Sequence, residues 1–420
     1  MHFLCNMLQW LYNISINAFA LLVRLISPFN PKAKLAIQGR QLAASGLLAW
    51  RNQHPGKLIW FHCASLGEFE QGRTLIESVR RDYPEVLILI TFFSPSGYEV
   101  RKKYPIADHI TYLPFDHPKR MQQFIDIAKP SAVMVIKYEY WVNWFKALKV
   151  RNIPIFIAAA KLRPDQRFFG LFGTWWQRTL QCVTHFYVQD QATLDLLRSV
   201  GIERASVTGD TRFDRVQEIQ LAGKVLPELQ AWCKLSKVVV IGSAWAEEEK
   251  IGIQLAQDHP NWKIIVVPHE VHSQRLSKLA SRLPNAVLYS KLGVQGKSSN
   301  LMLVDTTGIL SSVYQLADVC VIGGGFGKGI HNTLEAAVWS KPVLFGPRFE
   351  KFDEAKGLIE VGAAMGVESP DLLQKTIEQW INAEKETSVR GEKAGSFVKS
   401  KRGATHRILQ HTEIQRVLKK

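Results

Sequence analysis

From residue 57 onward, short apolar runs rich in β-branched and aromatic residues alternate with longer amphipathic stretches. Strands of a parallel sheet read as nearly continuous apolar runs, because helices cover both faces of such a sheet. The runs in the first half lie at 57–62, 86–93, 109–113, 131–136, 153–159 and 184–188. The pattern restarts at 237–242, 262–267, 286–289, 301–304, 318–322 and 342–345. These runs predict strands that alternate with helices, which is typical of an α/β fold.

A polar stretch at about 205–235 separates the two series of predicted strands. A chain of 420 residues is also too long for one ordinary core. We therefore expect two Rossmann-like domains, whose parallel sheets face a central cleft and bind ligands at the carboxyl ends of their strands. The expected organisation is a hydrophobic helix at 1–30, a first domain at 31–205, a linker at 206–235, a second domain at 236–400 and a basic C-terminal segment at 401–420, with a helix at 404–418.

The N-terminal segment 3–29 is mostly apolar, but amide side chains and Arg24 interrupt it. A membrane-spanning helix needs about 20 predominantly apolar residues, and this segment is a poor example. It also lacks the basic start and the small-residue cleavage site of a signal peptide. Two interpretations remain open. The segment is either a helix lying at or partly in a membrane interface, which we favour, or an amphipathic helix packed on the first domain.

Charge supports the membrane interpretation. No Asp or Glu precedes Glu68, whereas Arg24, Lys32, Lys34 and Arg40 are among the basic residues before it. Basic residues beside an apolar anchor favour the anionic cytoplasmic leaflet of a membrane. The net charge of +16 by itself suits nucleic acid, an anionic membrane or phosphorylated substrates equally well.

Cysteine and histidine usage excludes several classes of site. The five cysteines are scattered without a CxxC pair, and the twelve histidines include no HExxH motif. A disulfide framework and a structural zinc site are therefore not expected, and a reducing cytoplasm fits best. We expect no metal and no cofactor.

The most informative stretch of the second half is 317–337, where a predicted strand leads into a run of glycines and then into a helix. Glycines allow a ligand to approach the backbone closely, and the start of a helix offers free N–H groups to phosphate. Glu335 is placed to accept hydrogen bonds from ribose hydroxyls. The stretch is neither a Walker loop nor a GxGxxG fingerprint. It lies where glycosyltransferases of the GT-B type bind their nucleotide; the alternative is a glycine-rich turn without a ligand.

In the first half, residues 62–73 follow the first predicted strand and carry Glu68 at the start of a helix. A carboxylate at this position would lie at the cleft, where a general base is needed. Inverting glycosyl transfer requires one base to take the proton of the acceptor hydroxyl. The alternative is a charge that only stabilises the helix N-terminus.

Five strings, in this order, resemble the Kdo (3-deoxy-D-manno-octulosonic acid) transferases of lipopolysaccharide assembly. They are SLGE at 65–68, GDTRFD at 209–214, DTTG at 305–308, HNTLEAA at 331–337 and GPRFEKFDEA at 346–355. The resemblance implies a GT-B fold, CMP-Kdo as the donor and a lipid A precursor (lipid IVA) as the acceptor. It also implies inversion at the anomeric carbon, no metal, no nucleic-acid partner and a location on the cytoplasmic side of the inner membrane, peripheral or with a single anchor.

The resemblance also assigns residues. Glu68 matches the family's catalytic base, and Glu139 matches a second carboxylate that either orients the acceptor or supports a basic partner. Residues matched to the acceptor side or to support of the site are Ser65, Gly67, Ser94, Ser96, Arg163 and Arg212. Residues matched to the donor nucleotide are Gly242, Ser243, Pro268, Arg275, Gly323, Gly324, Gly325, Phe326, Gly327, Asn332 and Glu335.

The chain departs from the family pattern at several positions. These are Lys137 in place of a Glu, Val142 in place of a Pro, His269 in place of an Arg, Ile309 in place of a Glu and Ile330 in place of a Gly. The base and the glycine loop are retained, whereas details of donor contacts and acceptor specificity differ. Two other functions stay open: a GT-B enzyme that uses another nucleotide sugar such as a UDP-hexose, and a non-catalytic basic protein that binds membrane or nucleic acid.

Overall fold

The computed structural model describes residues 2–270, 279–281, 286–293 and 299–419. The chain divides into two compact units. The first unit comprises Met1–Arg215 together with Gly403–Lys420, and the second comprises Val216–Arg402. In each unit the described residues form a parallel sheet covered by helices.

The sheet of the first unit has its earliest strand near the middle. Its strands are β1 (Leu58–Cys63), β2 (Leu87–Phe92), β3 (His109–Tyr112), β4 (Ala132–Ile136), β5 (Ile155–Ala160), β6 (His185–Val188) and β7 (Ala205–Val207). Their order is β3-β2-β1-β4-β5-β6-β7. Every residue of β1, β4 and β5 is buried, as expected for central strands covered on both faces. The strand order reverses between β1 and β4, so their carboxyl ends form the switch point where α/β sheets bind ligands.

Most helices of the first unit follow a strand. They are α1 (His2–Ile26), α2 (Pro31–Gln53), α3 (Leu66–Asp82), α4 (Pro95–Arg101), α5 (Pro118–Ala128), α6 (Val142–Val150), α7 (Gly173–Leu180), α8 (Gln191–Ser199) and α9 (Thr211–Leu221), whose span includes the unit boundary. Asn30, Ser65, Ser94 and Asp190 cap α2, α3, α4 and α8, each accepting a hydrogen bond from a backbone N–H of the first turn. Polar caps therefore fix where these helices begin.

The second unit repeats the arrangement. Its strands are β8 (Lys237–Ala244), β9 (Trp262–Pro268), β10 (Val287–Leu288), β11 (Leu301–Leu303), β12 (Val319–Ile322), β13 (Val343–Phe345) and β14 (Ala364–Gly366). Their order is β10-β11-β9-β8-β12-β13-β14, with the reversal between β8 and β12. Its described helices are α10 (Pro227–Cys233), α11 (Ala246–Asp258), α12 (Leu310–Tyr314), α13 (Leu334–Ala337), α14 (Asp353–Glu360), α15 (Pro370–Asn382) and α16 (Glu384–Ser400), with a 3-10 turn at Tyr289–Lys291.

The C-terminal segment returns to the first unit as two helices, α17 (Ala404–Leu409) and α18 (Thr412–Lys419). Ile408 and Leu418 are buried in the same core as Phe61 of β1 and Phe69 of α3. Burial of these apolar side chains holds the segment there. The sequence analysis expected one helix at 404–418, and the structure breaks it between Leu409 and Thr412.

Helix α1 is fixed to the first unit by polar side chains. Tyr12 donates a hydrogen bond of 2.6 Å to Asp116, which also accepts from the backbone N–H groups of Asn143 and Trp144. The side chain of Asn143 accepts a bond of 2.9 Å from Gln9. Gln9, one of the amides that interrupt the apolar segment 3–29, and Tyr12 therefore face the unit and find partners, as buried polar groups require.

The opposite side of α1 exposes large apolar side chains. Trp10, Leu21 and Leu25 are each more than half exposed, and Phe29, just beyond the helix, is 89% exposed. Among the described helices, no single one is long and apolar enough to cross a membrane. Residues Cys5–Ile26 of α1 and helix α2 meet that requirement only when they are taken together. The chain bends by 119° at the break between these two helices.

All the strands predicted from the sequence are confirmed within one or two residues at each end. Two further strands, β7 and β14, were not predicted. Each is three residues long, lies at the edge of its sheet and has solvent-facing positions, so neither produces an apolar run. The segment at 206–235, expected as a linker, contains the end of β7, helix α9 and helix α10.

Candidate active site

The turn after β1 places Glu68 in the first turn of α3. Ser65 caps this helix, and its Oγ accepts a hydrogen bond from the Glu68 backbone N–H. The carboxylate of Glu68 reaches back and accepts a hydrogen bond from the backbone N–H of Ala64. These two bonds fix the carboxylate at the carboxyl end of β1. Gly67 is an exposed member of the same turn.

The environment of Glu68 makes it a better base than a free carboxylate. Burial and then the negative charge of Glu139 raise the pKa of Glu68 to about 7, against the opposing effects of the Ala64 N–H and the charge of Lys137. A general base works best when its pKa lies near the operating pH. A helix N-terminus favours the ionised form of a carboxylate, so the raised pKa comes from burial and from Glu139.

Glu139 follows β4, the neighbour of β1 in the sheet. Burial raises the pKa of Glu139, while the indole of Trp141 and the charge of Arg167 oppose the rise. Lys137, two residues earlier, has a φ of 71°, which is uncommon for a residue with a side chain. Strained backbone of this kind is concentrated at functional sites. The charge of Glu139 acts on Glu68, so the two carboxylates share one electrostatic environment.

The serine turn after β2 is tied to the same place. The backbone N–H of Ser94 donates a hydrogen bond of 2.7 Å to the carbonyl of Ala64, the residue that also holds Glu68. The hydroxyls of Ser94 and Ser96 lie 2.9 Å apart, and the Ser94 hydroxyl caps α4. Ser94 and Ser96 thus support the Glu68 turn through the backbone.

Burial raises the pKa of Tyr138, the residue before Glu139. The positive charges of Arg163 and Arg212 oppose that rise. Arg212 is held by Asp210, with its Nε 2.8 Å and its NH2 nitrogen 2.7 Å from the same carboxylate oxygen. Burial by itself would raise the pKa of Asp210, but the charge of Arg212 and its hydrogen bonds lower that pKa. Arg163 is more exposed, and its Nε lies 3.3 Å from Asp165 of its own loop. Arg212 is therefore a fixed cation near the site, and Arg163 is a peripheral one.

In the second unit, the predicted donor residues gather at the carboxyl ends of β8, β9 and β12. Gly242 ends the part of β8 that pairs with β12, and a Cβ at this position would lie 1.9 Å from the hydroxyl oxygen of Tyr314. Ser243 follows with a φ of 51°. A Cβ on Gly323 would lie 2.2 Å from the carbonyl oxygen of Ser243. Glycine is therefore required where β8 and β12 meet.

The loop after β12 is folded by its own backbone. Gly327 and Gly329 donate hydrogen bonds of 2.9 and 3.1 Å to the carbonyl of Gly324, which has a φ of 93°. A Cβ on Gly325 would lie 2.5 Å from the backbone nitrogen of Gly346. Phe326 anchors the loop by packing against the core of the unit. The loop presents backbone rather than side chains, which suits close approach of a phosphate.

Glu248, in the first turn of α11, clamps this loop. One carboxylate oxygen accepts a hydrogen bond of 3.0 Å from the backbone N–H of Trp245, and the other accepts one of 2.9 Å from the N–H of Gly324. Glu248 is almost fully buried, so breaking either bond would leave a charge without its partner. The side chain thus joins the end of β8 to the glycine loop.

Asn332 and Glu335 are oriented by one another beyond the loop. The side-chain amide of Asn332 donates a hydrogen bond of 3.0 Å to Glu335, and its oxygen accepts one of 3.1 Å from the backbone N–H of Leu334. The helix expected here is short, four residues from Leu334 to Ala337. Pro268 ends β9 and is buried, and Arg275, the remaining predicted donor residue, lies outside the described residues.

Sequence reasoning did not identify a stack of three rings at this place. The indole N–H of Trp245 donates a hydrogen bond of 3.1 Å to Nε2 of His331. The ring of His269 lies over both, with centroids 4.8 Å from Trp245 and 4.2 Å from His331. Burial, together with the charge of His269, lowers the pKa of His331 to about 4. The sequence did contain a signal for this stack, because each of the three aromatic residues lies in the segment that follows a predicted strand.

Within the described ranges, no group of three or more His, Cys, Asp or Glu side chains is arranged to hold a metal ion. The charged residues described above are engaged with protein groups instead. The chemistry that the two sets of residues offer is a perturbed carboxylate in the first unit and a backbone-lined loop in the second.

Comparison with known proteins shows which proteins this chain is similar to. Residues 39–215 match the family model described as 3-Deoxy-D-manno-octulosonic-acid transferase (kdotransferase). The chain is 27% identical over 372 residues to 3-deoxy-D-manno-octulosonic acid transferase of Haemophilus influenzae, covering 84% of this chain and 86% of that protein. It is 25% identical over 336 residues to the protein of the same name from Aquifex aeolicus, covering 79% and 88% respectively. The resemblance seen in the sequence is confirmed.

Solved structures support the fold. UDP-GlcNAc 2-epimerase from Neisseria meningitidis superimposes with a TM-score of 0.59 at 16% identity, covering 84% of this chain and 98% of that one. MurG of Acinetobacter baumannii gives a TM-score of 0.53 at 12% identity, covering 86% and 100%. These likenesses concern the fold alone. The two parallel-sheet α/β units resemble the GT-B glycosyltransferases, as predicted.

Proposed function

We propose that this chain, which matches the Kdo transferase family model over residues 39–215 and is similar to two bacterial Kdo transferases over most of its length, transfers Kdo from CMP-Kdo to a lipid A precursor, lipid IVA. Transfer inverts the anomeric carbon, and Glu68 is the general base. The observation that carries the proposal is the pKa of Glu68, raised to about 7 by burial and by Glu139 at the carboxyl end of β1.

The reaction is a single displacement. Ionised Glu68 takes the proton of an acceptor sugar hydroxyl as that oxygen attacks the anomeric carbon of Kdo. The bond from that carbon to the phosphate oxygen breaks, and CMP leaves with the electron pair. General-base catalysis of this kind contributes about 10²–10⁴-fold. Glu139 holds the pKa of Glu68 up, and Lys137 limits the rise.

The donor nucleotide binds to the second unit. The phosphate lies against the backbone of Gly323–Gly327, and the ribose hydroxyls bond to Glu335, which Asn332 orients. Because the leaving phosphate is stabilised by backbone N–H groups of the glycine loop, the proposal requires no metal. Full activity in the presence of a chelator is the expected result.

The lipid acceptor is supplied at a membrane. The exposed apolar face of α1 lies in the interfacial region of the cytoplasmic leaflet of the inner membrane, and Arg24, Lys32 and Lys34 attract anionic lipid. Co-sedimentation with anionic vesicles tests this: binding should fall in 0.5 M salt or on substitution of Leu21→Asp with Leu25→Asp. Equal binding to neutral and anionic vesicles would contradict the role of charge.

The function is tested by incubating the purified full chain with CMP-Kdo and a tetra-acylated lipid A precursor in detergent, with UDP-hexoses in parallel. The expected product gains the mass of Kdo, and its anomeric configuration by NMR is opposite to that of the donor. Turnover with a UDP-hexose and none with CMP-Kdo would overturn the donor assignment. Salt-dependent membrane binding with no turnover of either donor would overturn the assignment as this enzyme.

A further inference from the structure

A cavity of about 590 Å³ lies in the first unit, between α1, α7 and the segment that follows β4. We call it the α1 cavity and define it by six of its lining residues: Leu8, Ile16, Glu139, Trp141, Arg167 and Trp175. Its volume is in the range of cavities that bind small molecules or parts of larger ones. Of the residues assigned from the sequence, Glu139 is among those that line it.

The lining of the α1 cavity combines apolar and charged side chains. Leu8 and Ile16 of α1 and Trp175 of α7 are apolar. Glu139 and Arg167 are charged, and the guanidinium of Arg167 lies 4.2 Å from the centre of the Trp176 ring. A ligand that suits both kinds of residue is an amphiphile, with an apolar chain and an anionic or hydroxyl-bearing head.

A buried polar group in the lining has no partner. Tyr140 lines the cavity and is only 4% exposed, yet its hydroxyl makes no hydrogen bond to any residue that the structure describes. Buried hydroxyls are normally satisfied. An ester or amide carbonyl, the group by which an acyl chain is attached, is an acceptor of the kind this donor lacks.

The cavity is continuous with the exposed apolar surface of α1 through side chains that belong to both. Leu11 lines the cavity and is 47% exposed, and Phe172 at the start of α7 lines it and is 54% exposed. The wall itself is held rigidly, because Tyr12 is bonded to Asp116 and packs on Trp175 with ring centroids 5.8 Å apart. An acyl chain can therefore pass from a lipid phase into the cavity along apolar contacts.

Position links the cavity to the chemistry. Glu139, one of the charged residues of the lining, is the residue whose charge acts on Glu68. A lipid whose chain contacts the apolar residues of the lining presents its head group near both carboxylates. We propose that the α1 cavity binds one ester- or amide-linked acyl chain of the lipid acceptor, with Tyr140 donating to the linkage carbonyl and Arg167 facing the anionic head group. This inference rests on the proposed function and names the acceptor subsite of the same reaction.

The test compares two tryptophan substitutions on α1. Ser15 lines the cavity and is exposed, so Ser15→Trp fills the space without disturbing the core; Ile14→Trp places the same side chain outside the cavity. Two acceptors are used in detergent, a tetra-acylated lipid A precursor and the same disaccharide bisphosphate fully deacylated. Ser15→Trp should raise KM for the acylated acceptor by about tenfold or more, as expected when an apolar chain loses its burial.

The other values should stay unchanged in Ser15→Trp: KM for CMP-Kdo, and kcat/KM for the deacylated acceptor. Ile14→Trp should resemble the intact protein with both acceptors. Arg167→Gln should raise KM for both acceptors, because the Arg167 side chain faces the head group, which both acceptors carry, and not the acyl chain. An equal rise for both acceptors in Ser15→Trp, or no rise for either, overturns the assignment of the cavity to an acyl chain.

A binding measurement separates this inference from the proposed function. An acceptor lipid with a photoreactive acyl chain should label α1 and α7 at the cavity in the intact protein and in Ile14→Trp, but not in Ser15→Trp. Labelling of the cavity without any Kdo transfer would leave the subsite standing and reject the transferase. Kdo transfer with labelling confined to the outer face of α1 would reject the subsite and leave the transferase.

Discussion

The two units have nearly the same sheet and very different sites. In both, the earliest strand lies near the middle, the strand order reverses beside it, and the candidate site residues follow the strands at that reversal. The first unit places buried carboxylates there, Glu68 and Glu139, with perturbed pKa values. The second places glycine backbone there, held by Glu248. The topology fixes where a site forms, and the residues at the strand ends decide whether it offers a titrating side chain or a surface of N–H groups.

The largest effect should come from the carboxylate of the first unit. Glu68→Gln keeps the size of the side chain but removes the base, so transfer at neutral pH should fall by about 10²–10⁴-fold. Because the proposed nucleotide site lies in the second unit, affinity for CMP by calorimetry should stay the same. Glu203→Gln, an exposed carboxylate paired at 3.7 Å with Arg198, is the matched control and should keep full activity. A Glu68→Gln variant with normal turnover would remove this residue from the chemistry.

The backbone site of the second unit should respond to a single methyl group. In Gly325→Ala the Cβ would lie 2.5 Å from the backbone nitrogen of Gly346, so the loop must shift, at a cost of about 1–3 kcal/mol in stability. CMP affinity should fall with it. In Gly327→Ala the nearest atom is 3.5 Å away, an ordinary contact, and thermal unfolding should be unchanged. Equal unfolding temperatures for the two variants would contradict the close packing of the loop.

A smaller effect should come from the two charges that shift the pKa of Glu68 in the first unit. The negative charge of Glu139 raises the pKa of Glu68, so Glu139→Gln should lower that pKa and move the acidic limb of kcat/KM to lower pH. The positive charge of Lys137 lowers the same pKa, so Lys137→Met should move the limb to higher pH. The base must be ionised to act, and activity therefore rises with pH through each midpoint. Shifts in the same direction for both variants would contradict this arrangement of charges.

The smallest effect concerns the ring stack of the second unit. The pKa of His331 is lowered to about 4, and because the Trp245 indole can only donate, Nε2 of His331 must be unprotonated. NMR titration should show His331 neutral from pH 5 to 8, with its proton on Nδ1. In Trp245→Phe the bond that favours the neutral ring is lost, so its pKa should rise. A midpoint near the ordinary value of about 6.5 in the intact protein would contradict the geometry.

Much of the fold could be predicted from the sequence because buried parallel strands leave apolar runs. The edge strands β7 and β14 could not, since three partly exposed residues leave no such run. The position of Glu68 could be predicted from the end of a strand, but its raised pKa could not. That value depends on burial and on Glu139, a residue of a different strand that only the fold brings near.

The amides of the N-terminal segment show a second limit. In the sequence they read as interruptions of an apolar helix. In the structure Gln9 bonds Asn143 and Tyr12 bonds Asp116, so the polar face of α1 is directed toward the unit and its apolar face outward. No local pattern identifies such distant partners. The α1 cavity, which depends on this orientation, could not be predicted for the same reason.

The pH dependence of a single turnover tests the central claim most directly. With CMP-Kdo and acceptor both saturating, transfer by the intact chain should rise about tenfold per pH unit below a midpoint near the raised pKa of Glu68, about 7, and level off above it. The Glu68→Gln variant should be slow and show no such rise. The same rise in both proteins, or a flat profile in the intact one, would contradict Glu68 as the base.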